Sequence, residues 1–283
     1  ADGLLIKDKN EQAQAPLFTA GSIDIGVSWR ALRKDRAIVG EVVLEQPQLN
    51  FVDGQAADDS QTGEGVDWRD RLEEIMPFTL NEIRVVDGQL SFRNFEADPQ
   101  VHVYANAINA SLFNLTNTAD RQGRVATFEG VAKLFNQAPI EATAHFNPYS
   151  DWEDFDLDLR MTGLDLTKLN DFSNAYGNFD FAGGSGDLVM EVEANNSQLD
   201  GYIKPLLHNV EVFNFEQDVE NEDKGFFRGI WEAVVGGGEE VLQNQRKDQF
   251  ATRVELSGST KNTEVSPFQA FVGILGKAFI EAF

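Results

Sequence analysis

Strict two-residue alternation of apolar and polar side chains recurs along the chain and restricts its fold more than any other feature. "VATFEGVAKLF" puts Ala126, Phe128, Gly130, Ala132 and Leu134 on one side. After the short break "NQAP", "PIEATAHF" sets Ile140, Ala142, Ala144 and Phe146 against Glu141, Thr143 and His145. "DFDLDLRM" alternates Phe155, Leu157, Leu159 and Met161 with Asp154, Asp156, Asp158 and Arg160, and "GDLVMEVEA" offers Leu188, Met190 and Val192 opposite Glu191 and Glu193. A side-chain period of two is that of a β-strand, and one apolar side per strand is the mark of a half-buried antiparallel sheet. Helical spacing is confined to short pieces: residues 67–76, 167–176, 226–245 (broken at Gly236-Gly237-Gly238) and 267–282. The chain is therefore expected to be mostly β.

"RVVDGQLSF", Arg84 to Phe92, offers two readings. Asp-Gly between apolar runs is the signal of a two-residue hairpin turn. A shift of 41 residues, however, lays "EVVLEQPQLNFVD" (Glu41 to Asp53) over "EIRVVDGQLSFRN" (Glu82 to Asn94), and Gly88 then meets Pro47. Proline cannot take the positive φ that such a turn demands. If the stretches are copies, the shared position is a bend or bulge inside a long strand.

Composition bounds the function. Lys+Arg number 23 and Asp+Glu 47, a formal net charge of -24 over 283 residues, which repels polyphosphate backbones and argues against nucleic acid. Cysteine is absent, excluding disulfides, thiolate metal sites and thiol nucleophiles. "ADGLLIKDKN" lacks the pattern of a secretory leader, and no apolar run approaches the ~20 residues of a membrane span. The expectation is a soluble chain. His102, His145 and His208 share no motif, and His145 belongs to the wet side of its strand. Asp154, Asp156 and Asp158 mimic the opening of a calcium loop, but Leu159 stands where that loop needs glycine and Asp165 where it needs glutamate. "GGSGD" around Ser185 lacks the spacing of a nucleophile elbow. No catalytic residue, metal or cofactor is expected.

Three stretches carry a family resemblance: "LFTAGSIDIGVSWRALRKDRAIVGEVVLEQPQLNFV", "GVDWRDRLEEIMPFTLNEIRVVDGQLSFRN" and "LTKLNDFSNAYGNFDFAGGSGDLVMEVEANNSQLDGYIK". With Gly65, Val66, Asp67 and Trp68 as a "dG..nW" element, and "GFFRGIWEAVVGGGEEVLQNQRKDQFATRVELSG" near the end, the chain resembles the AsmA-like proteins of Gram-negative envelopes. It is closest there to a branch long labelled as a domain of unknown function. The resemblance implies a long antiparallel sheet folded into a U-shaped apolar trough, a periplasmic location, and a part in phospholipid movement or outer-membrane upkeep. It also implies tethering to the inner membrane through an anchor outside this chain. It supplies no catalytic residues.

Residues 1–215 are accordingly expected to form the trough, and residues 216–283 a helix-strand-helix cap of the same domain. The apolar stripe comprises Leu49, Phe51, Leu90, Phe92, Phe128, Leu134, Phe146, Phe155, Leu157, Leu188 and Met190. By pattern alone it reads as a closed core. Taken with the resemblance it reads as a groove for an acyl chain, each methylene of which is worth roughly 0.8 kcal/mol when buried. The closing segment "SPFQAFVGILGKAFIEAF" aligns Phe268, Phe271, Leu275, Phe279 and Phe283 on one helical side and is expected to plug the groove end. The function expected is non-enzymatic binding or conduction of phospholipid. The alternative is an envelope scaffold with a filled β core that pairs with partner proteins.

Overall fold

The computed structural model describes residues 2–6, 15–34, 38–53, 78–116, 125–147, 153–177, 180–213, 249–251 and 253–259. Thirteen strands join in one mixed sheet: β1 (Asp2–Ile6), β2 (Phe18–Val27), β3 (Ile38–Glu45), β4 (Gln48–Val52), β5 (Phe78–Asn94), β6 (Val101–Thr116), β7 (Ala126–Leu134), β8 (Ala138–Phe146), β9 (Phe155–Asp165), β10 (Asp180–Asn195), β11 (Gln198–Phe213), β12 (Gln249–Ala251) and β13 (Val254–Ser259). From β5 to β11 the strands follow chain order as a meander. β4 continues the line of β3 between β2 and β5, and both β12 and β13 pair with β11. The mostly-β expectation stands. Two helices are short, α1 (Trp29–Lys34) and α2 (Asn170–Gly177), the latter preceded by a 3-10 turn at Leu166–Leu169.

The hairpins follow from local chemistry. Asn196 and Ser197 close β10 to β11 with φ of 50° and 68°, the two-residue turn whose twist matches the strands it joins. Phe135, Asn136 and Gln137 close β7 to β8. Asp165 starts the 3-10 turn by accepting hydrogen bonds from the Thr167 amide (3.0 Å) and hydroxyl (2.7 Å).

The Asp87-Gly88 pair is no hairpin tip. Gly88 lies within β5, and Asp87 has φ of 53° at a bulge between Val85 and Gly88. The other copy does the same: Gln46 has φ of 47° just before Pro47, where β3 gives way to β4. The copies are also neighbours. Glu41 pairs with Glu82, Val42 with Ile83, Leu44 with Val85, Gln48 with Gln89, Leu49 with Leu90 and Phe51 with Phe92, each an offset of 41. Proline ends the strand by withholding an N–H, whereas glycine lets it run on.

This pairing corrects the expectation of a wholly antiparallel sheet, because β3 and β4 run parallel to β5. Two copies of one strand set side by side in register must point the same way. Such neighbours need a long crossover, and residues 54–77 supply the length. A second correction is α1, which the alternation does not announce, although Ser28 is a favourable cap before "WRALRK". The helix expected over 167–176 is present as the 3-10 turn and α2. The helices expected over 67–76, 226–245 and 267–282, the cap 216–283 with them, lie outside the described residues.

Two apolar clusters anchor the sheet. Met190, Val192, Ile203 and Leu256 are buried together on β10, β11 and β13, with Phe155, Leu157 and Leu159 against them. Phe135, Ala138, Met161 and Leu164 form the other, joined by Leu169 of the 3-10 turn and Val103 of β6. Full burial of a side chain such as Ile203 contributes roughly 2 kcal/mol.

Candidate apolar binding face

Strand register decides which side chains share a side of the sheet, because paired residues point the same way. One row runs Leu49, Leu90, Ala105, Leu134, Ala138 from β4 to β8. A second runs Leu112, Phe128, Ala144, Leu157, Val192, Gly201 from β6 to β11. A third runs Ala142, Leu159, Met190, Ile203 from β8 to β11. Phe51 pairs with Phe92, Phe146 with Phe155, and Leu188 with Met161. All eleven stripe residues thus lie on one face that spans β4 to β10.

The bulges keep that face continuous. Val85 and Gly88 are three apart on β5, yet their partners Ala110 and Ile108 are two apart on β6, so the extra residue Asp87 restores the phase. Ala107, with φ of 50°, does the same for β6 between Ile108 and Ala105. A Cβ on Gly88 would come within 2.9 Å of Val85 Cγ1 and 3.2 Å of Pro47 Cγ, which explains why the smallest residue occupies the bend. Most of the eleven are half-buried. Met190 is 1% exposed and Leu90 37%, so the face passes from packed core at β10 to partly open surface at β5.

Among the described residues, one element crosses this face. From α2, Phe172 meets the Phe92 ring edge-on at 6.3 Å, and Tyr176 lies 6.3 Å from Phe92 and 4.9 Å from Phe172. The Tyr176 hydroxyl donates to Asp53 Oδ2 and accepts from Asn94 Nδ2 at 3.0 Å. Burial first, then the Asp53 carboxylate, push the phenol well above its ordinary range and keep it a neutral donor. Asn170 ties the helix start to β10 by donating to the Phe181 carbonyl at 3.0 Å and accepting from its amide at 2.9 Å. The sequence shows the helical spacing of Leu169, Phe172 and Tyr176 but not these partners. Their one trace is that Asp53 and Asn94 hold the same place, 41 apart, in the two copies.

The opposite face is polar. Asp156 accepts from His145 Nδ1 at 2.8 Å, and Arg84 grips Glu82 through two bonds of 3.0 and 2.8 Å, holding that carboxyl below its usual range. His102, His145 and His208 sit on β6, β8 and β11, no two of them on neighbouring strands. Burial, then the Arg93 charge, lower the His102 pKa. Two shallow depressions among the described residues are lined mainly by polar groups, one by Pro139, Glu141, Arg160 and Thr162, the other by Gln46, Gln48, Asp87, Gly88, Gln89, Asn106 and Ala107. Neither takes in a stripe residue. Phe268, Phe271, Leu275, Phe279 and Phe283 lie outside the described residues. What this face can do chemically is exclude water from an apolar ligand.

Comparison with family models, with curated proteins and with solved structures returns no match to this chain.

Proposed function

We propose that the chain is an AsmA-like envelope protein that binds or conducts phospholipid, without catalysis, along an apolar trough formed by one face of its sheet. The observation that carries this reading is the single apolar face from β4 to β10, kept in phase across its bulges. Curvature supports the trough. Six strand spacings separate β4 from β10 in the sheet order, roughly 29 Å if flat. Asn174, however, bonds to Asp180 at the start of β10, and Tyr176, two residues on, reaches Asp53 just past β4. Two side chains and half a helical turn cover less than that, which favours a sheet curled toward its apolar side. An acyl chain along such a face gains roughly 0.8 kcal/mol per buried methylene and needs no polar anchor to bind.

The setting follows from the family resemblance: the periplasm, with inner-membrane tethering through an anchor outside residues 1–283, and a part in outer-membrane lipid homeostasis or biogenesis. A photo-crosslinking residue at Leu90 or Leu157 in cells is expected to capture lipid, and one at Glu191 or Glu141 to capture none. Equal capture on both faces would remove the support for a trough. The complete burial of Met190 and Ile203 favours a second reading for the β10–β11 end, a filled core serving a scaffold that pairs with envelope proteins. Native mass spectrometry separates the two, since a carrier retains lipid mass and a filled scaffold does not.

A further inference from the structure

The polar face of the sheet is not uniform. From β9 to β11 carboxylates stand directly opposite one another: Asp158 pairs with Glu191, and Glu193 with both Asp156 and Asp200. From β4 to β6, at and beyond the bulges, the same face carries carboxamides where those strands carry carboxylates. Gln48 pairs with Gln89, and Asn106 lies on β6 beside them. The backbone dents here. Gln46, Asp87 and Ala107 take φ of 47°, 53° and 50° at one level of three neighbouring strand lines. Side chains at that level, Gln46, Gln48, Asp87, Gln89 and Asn106, line a depression of about 260 Å³. Bulges re-aim side chains in this way and are frequent beside functional sites.

Hydrogen bonding inside the depression is incomplete. Gln46 Nε2 donates to Asp87 Oδ2 at 3.4 Å and Gln89 Nε2 to Ser91 Oγ at 3.0 Å, while Asn136 engages both ends of the Asn106 carboxamide. The Gln48 carboxamide, Gln89 Oε1 and Asp87 Oδ1 have no hydrogen-bond partner among the described residues.

We propose that this depression binds an uncharged saccharide through Gln48, Gln89 and Asp87. Its open groups are one amide donor and three acceptor oxygens, so the ligand must bring donors and at least one acceptor. Adjacent ring hydroxyls offer a donor and an acceptor side by side, the pattern that one carboxamide matches. A cation is drawn first to the paired carboxylates of β9 to β11, and an anion is repelled by Asp87 and by the net charge of -24. The volume falls just below the roughly 300–1,000 Å³ of pockets for drug-sized ligands, which suits a ligand no larger than a disaccharide. Tyr104, two residues from Asn106, is already engaged by the His102 and Phe135 rings and supplies no stacking platform. Binding then rests on a few hydrogen bonds, which places Kd on the order of 1 mM. The site lies on the reverse of the apolar face and does not depend on the lipid reading.

The test is heteronuclear amide NMR of the isotope-labelled full chain, titrated with cellobiose and with diacetylchitobiose at millimolar concentration. Saturable shifts of the Gln48 and Gln89 side-chain signals are expected with at least one disaccharide, unchanged by salt or EDTA. Gln48→Ala should weaken binding about fivefold or more. Gln198→Ala, at an exposed carboxamide of β11, should not weaken it. Asp87→Asn keeps an acceptor and tolerates the positive φ, so it should leave binding nearly intact. The amide spectrum of each variant reports whether it is folded. No saturable shift with either disaccharide, or the same loss from Gln198→Ala, would overturn the proposal. So would equal shifts with N-acetylglycinamide, the mark of a peptide site, or loss of binding on adding EDTA or in Asp87→Asn, the mark of a cation site.

Discussion

Aromatic side chains sit at opposite ends of the strands, a cluster at one and a single tryptophan at the other, separated from Leu80 to Phe92 by roughly 40 Å of β5. At one, Phe92, Phe172 and Tyr176 pack ring against ring, and the one polar atom among them is bonded to Asp53 and Asn94. At the other, Trp29 stands in water beside Ile25, Val27 and two arginines. Residue type does not separate the two. What differs is the element above the face. α2 returns across the sheet and covers it, while α1, six residues long, stays beside β3. Aromatic side chains therefore stabilise the fold at the first end and add little to it at the second.

The comparison is most directly broken by truncating one ring at each end. Phe172→Ala removes a half-buried ring from the crossing helix and is expected to cost about 2 kcal/mol in urea unfolding, below the range for a fully buried phenylalanine. Trp29→Ala should change stability by no more than about 0.5 kcal/mol. Equal losses would mean that the two ends do not differ as described. Between them lies the bulge row. Gly88→Val forces a side chain against Val85 and Pro47 and should cost about 1–2 kcal/mol, a loss that Gly258→Val, with open space around its Cβ, should not reproduce.

The legible part of the fold was the part with local causes. Period-two alternation marks β7 to β10 because each strand has one wet side, and the 41-residue repeat identified Gly88 as a bend because proline cannot occupy a positive-φ turn. Parallel pairing was not legible. The alternation of β3 looks the same whether its neighbour runs with it or against it, and only the register of Glu41 on Glu82 reveals the direction. The stripe residues could be named from periodicity. The Tyr176–Asp53–Asn94 group could not, since Tyr176 is 123 residues from Asp53 and nothing local ties them.

Tyr176→Phe sharpens the comparison further by sparing the ring stack and deleting the hydroxyl. Asp53 keeps its bond from Asn94 Nδ2 at 3.2 Å, so the expected loss is about 1 kcal/mol, that of one hydrogen bond without a stranded acceptor. A loss as large as that of Phe172→Ala would mean that the hydroxyl, and not the rings, fastens the helix.

The smallest expected effect is a pH dependence at the polar face, on the reverse side of the sheet from the Phe92 cluster. His102 is paired in register with Arg93, next to Phe92, lies 3.3 Å from Ser91 Oγ and stacks 4.8 Å from the Tyr104 ring. Burial, and secondarily the Arg93 charge, lower its pKa from the usual 6.5. Between the lowered folded value and about 6.5 the unfolded chain binds more protons, so stability rises with pH across that window and levels off above it. Acidification from about pH 7.5 to about pH 5.5 should therefore cost wild type more than His102→Gln, which has no proton to gain there. The same difference should persist in a Trp29→Ala background, because Trp29 lies at the far end of the strands from His102. Denaturant midpoints at the two pH values provide the measurement. Identical acid losses in wild type and His102→Gln would show that the histidine is as free to protonate in the folded chain as in the unfolded one.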